Sequence, residues 1–147
     1  MPEKQKIIEV HIPSIMGYEK VAMESAAAAA KIMGFHQSRI EDLKTAISEA
    51  CSNAMEHGNR FKKDTTVWVT LKMDKKNLEV NVKDEGKGLN KKIEIPEIEK
   101  QINGIQDSRG WGMFLIKSLV DEVEMKKIPE GGNVTRMVIR VDRQKQL

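Results

Sequence analysis

Thr66-Val67-Trp68-Val69-Thr70-Leu71-Lys72-Met73 is followed by Asp74-Lys75-Lys76-Asn77 and then by Leu78-Glu79-Val80-Asn81-Val82-Lys83. Val67, Val69, Leu71 and Met73 alternate with Thr66, Trp68, Thr70 and Lys72, a period of two that sends the apolar set to one face of a strand. Residues 74–77 are turn formers. Leu78, Val80 and Val82 then alternate with Glu79, Asn81 and Lys83, so the chain returns as an antiparallel neighbour and the pair is a hairpin. One face of that hairpin is apolar and needs a covering layer.

Upstream of the hairpin the period is helical. Ile40, Leu43, Ile47 and Ala54 form one stripe, and Ser38-Arg39-Ile40-Glu41 has the form of a capping box. A helix is expected from Ser38 to about Gly58. Before it, Tyr18, Val21, Ala22, Ser25, Ala28, Ala29 and Ile32 share a face, the run Ala26 to Ala30 suits a close helix contact, and Gly34 after Met33 suits a left-handed cap. Downstream, residues 89–109 mix Lys, Glu, Pro, Asn and Gly with a weak helical pattern from Ile95 to Ile102, the features of a lid. Trp111 to Val120 is an almost wholly apolar helix. Val123 to Ile128 and Val134 to Val141 make a second hairpin around Pro129-Glu130-Gly131-Gly132-Asn133. The order is strand, two helices, two strands, lid, helix, two strands. It predicts an α+β fold, a two-layer sandwich with helices on one face of a largely antiparallel sheet.

The 147 residues suit one domain over 1–147, and 39% hydrophobic against 32% charged residues exclude a disordered chain. No apolar run suits a signal peptide or a membrane span. The single cysteine, Cys51, cannot form an intrachain disulfide, which fits a reducing, cytoplasmic setting. A net charge of +3 with interspersed basic residues and 4% aromatics gives no stacking platform for nucleic acid.

Three short segments carry chemistry. Glu49 and Asn53 are spaced i, i+4, so their side chains stack on one helix face. A carboxylate below a carboxamide can serve as a general base beside a magnesium ligand; the plainer reading is two solvated polar residues. Asp84-Glu85-Gly86-Lys87-Gly88 ends a strand, where glycines allow close backbone approach and a carboxylate can accept a hydrogen bond from an exocyclic amine. Its plainer reading is a turn. Ser108-Arg109-Gly110-Trp111-Gly112 precedes the apolar helix, and a glycine-bearing loop at a helix N-terminus suits phosphate. Neither a Walker A motif nor a dinucleotide fingerprint is present.

Taken in order, Glu49-Ala50-Cys51-Ser52-Asn53-Ala54-Met55-Glu56-His57-Gly58, Asp84 to Gly88 and Gly110-Trp111-Gly112 resemble the N, G1 and G2 boxes of the Bergerat-fold ATP-binding superfamily. With the stretch Gly110 to Val123, the chain looks like the bacterial anti-sigma-factor serine/threonine kinases. The resemblance implies an ATP- and Mg²⁺-dependent kinase that phosphorylates an antagonist protein and holds a sigma factor or similar client. It implies that Asn53 holds Mg²⁺, Glu49 is the base for the accepting hydroxyl, Asp84 reads the adenine amino group, Gly86 and Gly88 shape the base pocket, and Gly110 and Gly112 place amides near the phosphates. Arg109 and Trp111 fall in the same box, although the family's arginine position is held by Ser108. The family's Gly-Thr-Thr reads Gly132-Asn133-Val134-Thr135, which makes Thr135 the counterpart of the nucleotide-contacting threonine.

The alternative is a nucleotide-dependent binding switch without phosphotransfer. A histidine-kinase catalytic fragment is a weaker third reading, because no phosphoacceptor helix with an obvious histidine is present. Cys51 reads as a core residue, His57 as a helix-end residue beside the site, and the methionines as gap fillers. Trp68, out of phase with Val67 and Val69, belongs to the outer sheet face, either against a partner or second subunit of a homodimer or as an ordinary edge contact.

Overall fold

Alternation of small β-branched and polar residues produces one antiparallel sheet in the computed structural model, which describes residues 4–86 and 108–141, the side chains of Ser108 and Arg109 excepted. The elements are β1 (Lys6–Pro13), α1 (Glu19–Met33), α2 (Gln37–Asn53), a π-helical turn (Ala54–Gly58), β2 (Thr66–Met73), β3 (Asn77–Lys83), α3 (Ser108–Leu119), β4 (Glu122–Lys127) and β5 (Asn133–Arg140). The sheet order is β1-β2-β3-β5-β4. The central hairpin forms as expected, in a register that sets Leu71 opposite Val80 and Met73 opposite Leu78. The second hairpin docks by β5, which sets Val82 opposite Thr135 and Lys83 opposite Val134. Residues 87–107, which hold Gly88 and all of the expected lid but its last two residues, lie outside the described residues.

The core forms where the apolar strand face meets the helices. Val67, Val69, Leu71, Leu78, Val80, Met137 and Ile139 are buried with Leu43, Ile47, Met55, Met113 and Ile116. The alanine run of α1 does make the close helix contact, with Ala22, Ala26, Ala29 and Ala30 buried where α1 packs along α2. The rest of the expected face is turned away: Tyr18, Val21, Ala28 and Ile32 are exposed, because the small alanines and not the larger apolar side chains let the helices approach. Gly34 takes φ +91° and its N–H reaches the carbonyls of Ala30 and Lys31, closing α1 with a left-handed cap. The opposite sheet face carries charge. Arg136 Nε lies 2.9 Å from Glu79 Oε1, with Glu122 and Glu124 oxygens 3.6 and 3.7 Å from its Nη1. Burial would raise the Glu79 carboxyl, but hydrogen bonds from Asn81 and Arg136 and the nearby positive charges outweigh it and hold it below the usual range. Trp68 lies on this face, its ring edge-on to His11 at 6.3 Å and under Lys83 Nζ at 5.2 Å.

Beyond one-residue shifts at the ends of β3, β4, β5 and α3, three element ends differ from the sequence reading in ways that bear on the site. The capping box at Ser38 does not form: α2 starts at Gln37 with His36 as its cap, whose Nδ1 accepts from the Ser38 N–H at 3.2 Å. Phe35 and Ile40 stand at the N′ and N4 positions of a hydrophobic staple and are both buried, which fixes the entry point upstream of Ser38. At its other end α2 stops at Asn53, and the helical segment reaches the expected Gly58 only through the π-helical turn that follows. Thirdly, α3 begins at Ser108, not Trp111, so Ser108, Arg109 and Gly110 form its first turn. Cys51 is a core residue as expected, its thiol pushed up to about 12 by burial and then by the charge of Glu19. No helix among the described residues is long and apolar enough to cross a membrane.

Candidate functional site

Two clusters, one at each end of the segment Glu49–Gly58, make the site. In the first, Glu49 and Asn53 stack on α2 and meet the backbone of α3 at Gly112. A Cβ on Gly112 would lie 2.7 Å from Glu49 Oε2 and 2.9 Å from Asn53 Nδ2. Only a glycine lets the two helices approach so closely with these side chains between them. Asn53 is 5% exposed, and its Nδ2 is buried without a hydrogen-bond partner. Such an orphan costs roughly 1–3 kcal/mol, which marks the amide as shaped for a ligand. Glu49, Asn53 and Glu56 form one wall of a cleft of about 600 Å³, and Trp111, Phe114 and Leu115 form the other. Trp111 is 48% exposed, with its ring edge-on to Phe114 at 5.7 Å. The oxygens of a carboxamide and a carboxylate are hard donors of the type that Mg²⁺ takes, so the residues present fit that ion.

In the second cluster, Asp84 leaves the end of β3 and is 3% exposed. Its Oδ1 accepts from the N–H groups of Gly86 (2.9 Å) and Asn133 (3.1 Å), while its own N–H donates to the Asn133 carbonyl at 3.0 Å. The carboxylate lies against Gly58, where a Cβ would stand 2.1 Å from Oδ2. Gly86 has φ +73° and leaves no room for a side chain, since a Cβ would be 2.2 Å from the Gly132 nitrogen. Gly132 in turn has φ +94° and would bring a Cβ to 2.3 Å from the Asp84 carbonyl oxygen. Thr135, 4% exposed, sits opposite Val82 and thus on the same sheet face as Asp84, one strand over.

Glu49, Asn53, Trp111 and Gly112 are thus brought together, as are Asp84 and Gly86, with Thr135 on the same sheet face. Gly110 is buried in the first turn of α3. A loop carrying Gly110 and Gly112 ahead of the helix is not what forms: both are helical, because α3 must pass Glu49 and Asn53 with its backbone and so needs Gly112 within its second turn. Gly88 and the Arg109 side chain lie outside the described residues. His57 ends the segment as expected, its Nε2 2.9 Å from Glu56 Oε2. Sequence reasoning missed the interlock of Gly132 with Asp84, whose signal is the Gly131-Gly132 pair in a hairpin turn, and it missed Asn59, for which periodicity holds no signal.

A sheet with helices on one face, a polar pair on α2 facing a helical glycine, and a buried strand-end aspartate on a glycine turn define a class. The chain belongs to the histidine kinase-like ATPase domain family, whose model matches residues 14–139. Its relatives include the serine-protein kinase RsbW of Bacillus thuringiensis (strain Al Hakam) and of Bacillus cereus (strain 03BB102), each 31% identical over 131 residues, 85% of this chain and 80% of theirs. The RsbW of Bacillus mycoides (strain KBAB4) is similar to the same degree. A crystal structure of the RsbU and RsbW domains of a Mycobacterium tuberculosis protein shares the fold, with a TM-score of 0.66 at 19% identity, covering 92% of this chain and 32% of that one. The chain therefore spans about a third of that structure's length.

Proposed function

We propose that the chain is an ATP-dependent serine-protein kinase whose substrate is another protein. The observation that supports this most strongly is the meeting of Glu49 and Asn53 at Gly112, with the Asn53 amide buried and unpartnered. Asp84 accepts a hydrogen bond from the adenine amine, while Gly86, Gly88 and Thr135 shape the base pocket. Gly110, Trp111 and Gly112, with Arg109 beside them, flank the phosphates. Asn53 holds Mg²⁺, which when bound neutralises phosphate charge. Glu49 takes the proton of the attacking serine hydroxyl as its oxygen bonds to the terminal phosphorus and the bond to the β-phosphate breaks, releasing ADP. Alignment and charge neutralisation do most of the work in such a transfer, so one base and one metal ligand on a rigid helix suffice.

The relatives named serine-protein kinase support serine as the acceptor. The motif resemblance supports an antagonist protein as the carrier of that serine and a sigma factor or similar client as the second partner, while the chain length supports one domain over 1–147 and the lone Cys51 supports a cytoplasmic setting. The test incubates the chain and its co-purified partners with ATP labelled on the terminal phosphate. Labelled phosphoserine on a partner is expected. Nucleotide binding with no label on any protein would overturn the kinase reading in favour of a binding switch.

A further inference from the structure

We infer that Asn59 is a positioning residue for base recognition, which fixes Asp84-Glu85-Gly86 to the end of the helix that carries Glu49 and Asn53. This rests on the reading of Asp84 as the adenine acceptor. Asn59 is 0% exposed and follows the π turn directly, where its N–H closes that turn on the Ala54 carbonyl at 2.8 Å. Its side chain joins three distant segments. Oδ1 accepts from the Glu85 N–H at 2.7 Å, and Nδ2 donates to Ser14 Oγ at 2.9 Å and to the Thr66 carbonyl at 3.0 Å. The amide orientation follows from its partners, because the Glu85 N–H can only donate and the Thr66 carbonyl can only accept.

The surroundings hold Asn59 and Glu85 in place. Ser14 Oγ also accepts from Thr65 Oγ1 at 2.9 Å, and the Glu85 carboxylate accepts from the Thr66 N–H at 2.5 Å. Arg60 and Phe61 take φ +53° and +54°, an unfavourable conformation for side chains of their type. The chain turns away in that conformation while Asn59 points inward. Asp84 lies between two groups that Asn59 controls: Gly58, its neighbour in sequence, against Oδ2, and Glu85, its hydrogen-bond partner, on the main-chain side. No bond joins Asn59 to Glu49 or Asn53. Loss of the Asn59 amide therefore reorients the base-reading carboxylate and leaves the phosphate end in place.

Asn59→Asp keeps the acceptor for Glu85 and sets a carboxylate oxygen against the Thr66 carbonyl. The experiment measures calorimetric affinities for Mg²⁺-ATP and for Mg²⁺-tripolyphosphate, which has no base, in the wild type, Asn59→Asp and Asp84→Asn. Asn59→Asp is expected to weaken ATP by tenfold or more and tripolyphosphate by less than twofold, with phosphotransfer at saturating ATP unchanged within a few-fold. An equal loss for both ligands would overturn the inference in favour of general structural support. So would unchanged ATP affinity in Asn59→Asp where Asp84→Asn has weakened it. If Asp84→Asn also changes nothing, the adenine reading of Asp84 is at fault and the inference falls with it. Should Asn59→Asp not fold, Glu85→Ala, which severs the second tie to Thr66, takes its place in the two-ligand comparison: a loss confined to ATP supports the inference, and an equal loss for both ligands or none for ATP overturns it.

Discussion

Glycine at position 112 is unfavourable in a helix interior by roughly 1 kcal/mol relative to alanine, yet a Cβ there would press on Glu49 Oε2 and Asn53 Nδ2, at 2.7 and 2.9 Å. Those atoms end flexible side chains, so the fold can absorb the change while the proposed chemistry at Glu49 and Asn53 cannot. Gly112→Ala is expected to keep its melting temperature within about 3 °C and to lose tenfold or more in phosphotransfer, compared by calorimetry and a transfer assay on the same protein. Gly58→Ala acts at the other end of the segment. Its Cβ would stand 2.1 Å from Asp84 Oδ2 and 2.7 Å from Asp84 Cβ, and the second contact cannot be relieved by a rotation about Cα–Cβ. ATP affinity is expected to fall at least tenfold, about 1.4 kcal/mol, in a titration; an unchanged affinity would remove Asp84 from the base pocket. Glu49 and Asn53 were legible as a pair because a spacing of four needs only helical geometry. The steric duty of Gly112 was not, since nothing local says which helix it passes.

At the scale of elements, the period of the side chains announced the central hairpin, whereas the ends of α2 depended on groups that periodicity ignores. A buried Phe35 moved the cap from Ser38 to His36. The π turn widens the end of α2 where Asn59 enters the interior, one residue past the Gly58 that meets Asp84. Such single π turns occur often at functional sites. The turn between β2 and β3 is a simpler case. Asp74 Oδ1 accepts from the N–H groups of Lys76 (2.8 Å) and Asn77 (2.7 Å), and these bonds, that of Lys76 first, lower its pKa from the ordinary 3.8. A lowered pKa means that the ionised form stabilises the fold above the unfolded value, and that this contribution fades as the pH drops through the folded one. Asp74→Ala is expected to lower the melting temperature by about 2–4 °C at pH 7. The gap to the wild type should close as the pH falls below about 4, and a gap independent of pH would contradict the carboxylate's role.

Across the whole molecule, the function depends on a pairing that no local signal announces. Each hairpin is a neighbourhood of the sequence, but the docking of β5 against β3 joins residues about fifty apart and brings Gly132 and Asn133 to Asp84. The layer arrangement was legible because one apolar face demands a cover; the strand order β1-β2-β3-β5-β4 was not. On the proposed reading the same pairing makes ligand binding a property of the entire fold, since the proposed base pocket spans β3, β5 and the end of α2. Mg²⁺-ATP at 100 times its dissociation constant should then stabilise the native state by about 2.7 kcal/mol, a melting shift of roughly 5–10 °C. The most direct test of the mechanism is a single-turnover measurement on Glu49→Gln, in which bound nucleotide and phosphoserine on the protein substrate are followed in one reaction. The substitution keeps size and polarity and removes the proton acceptor, so ATP is expected to bind within a few-fold of wild type while transfer slows by about 10²–10⁴. Transfer at the wild-type rate would contradict the assignment of Glu49 as the base.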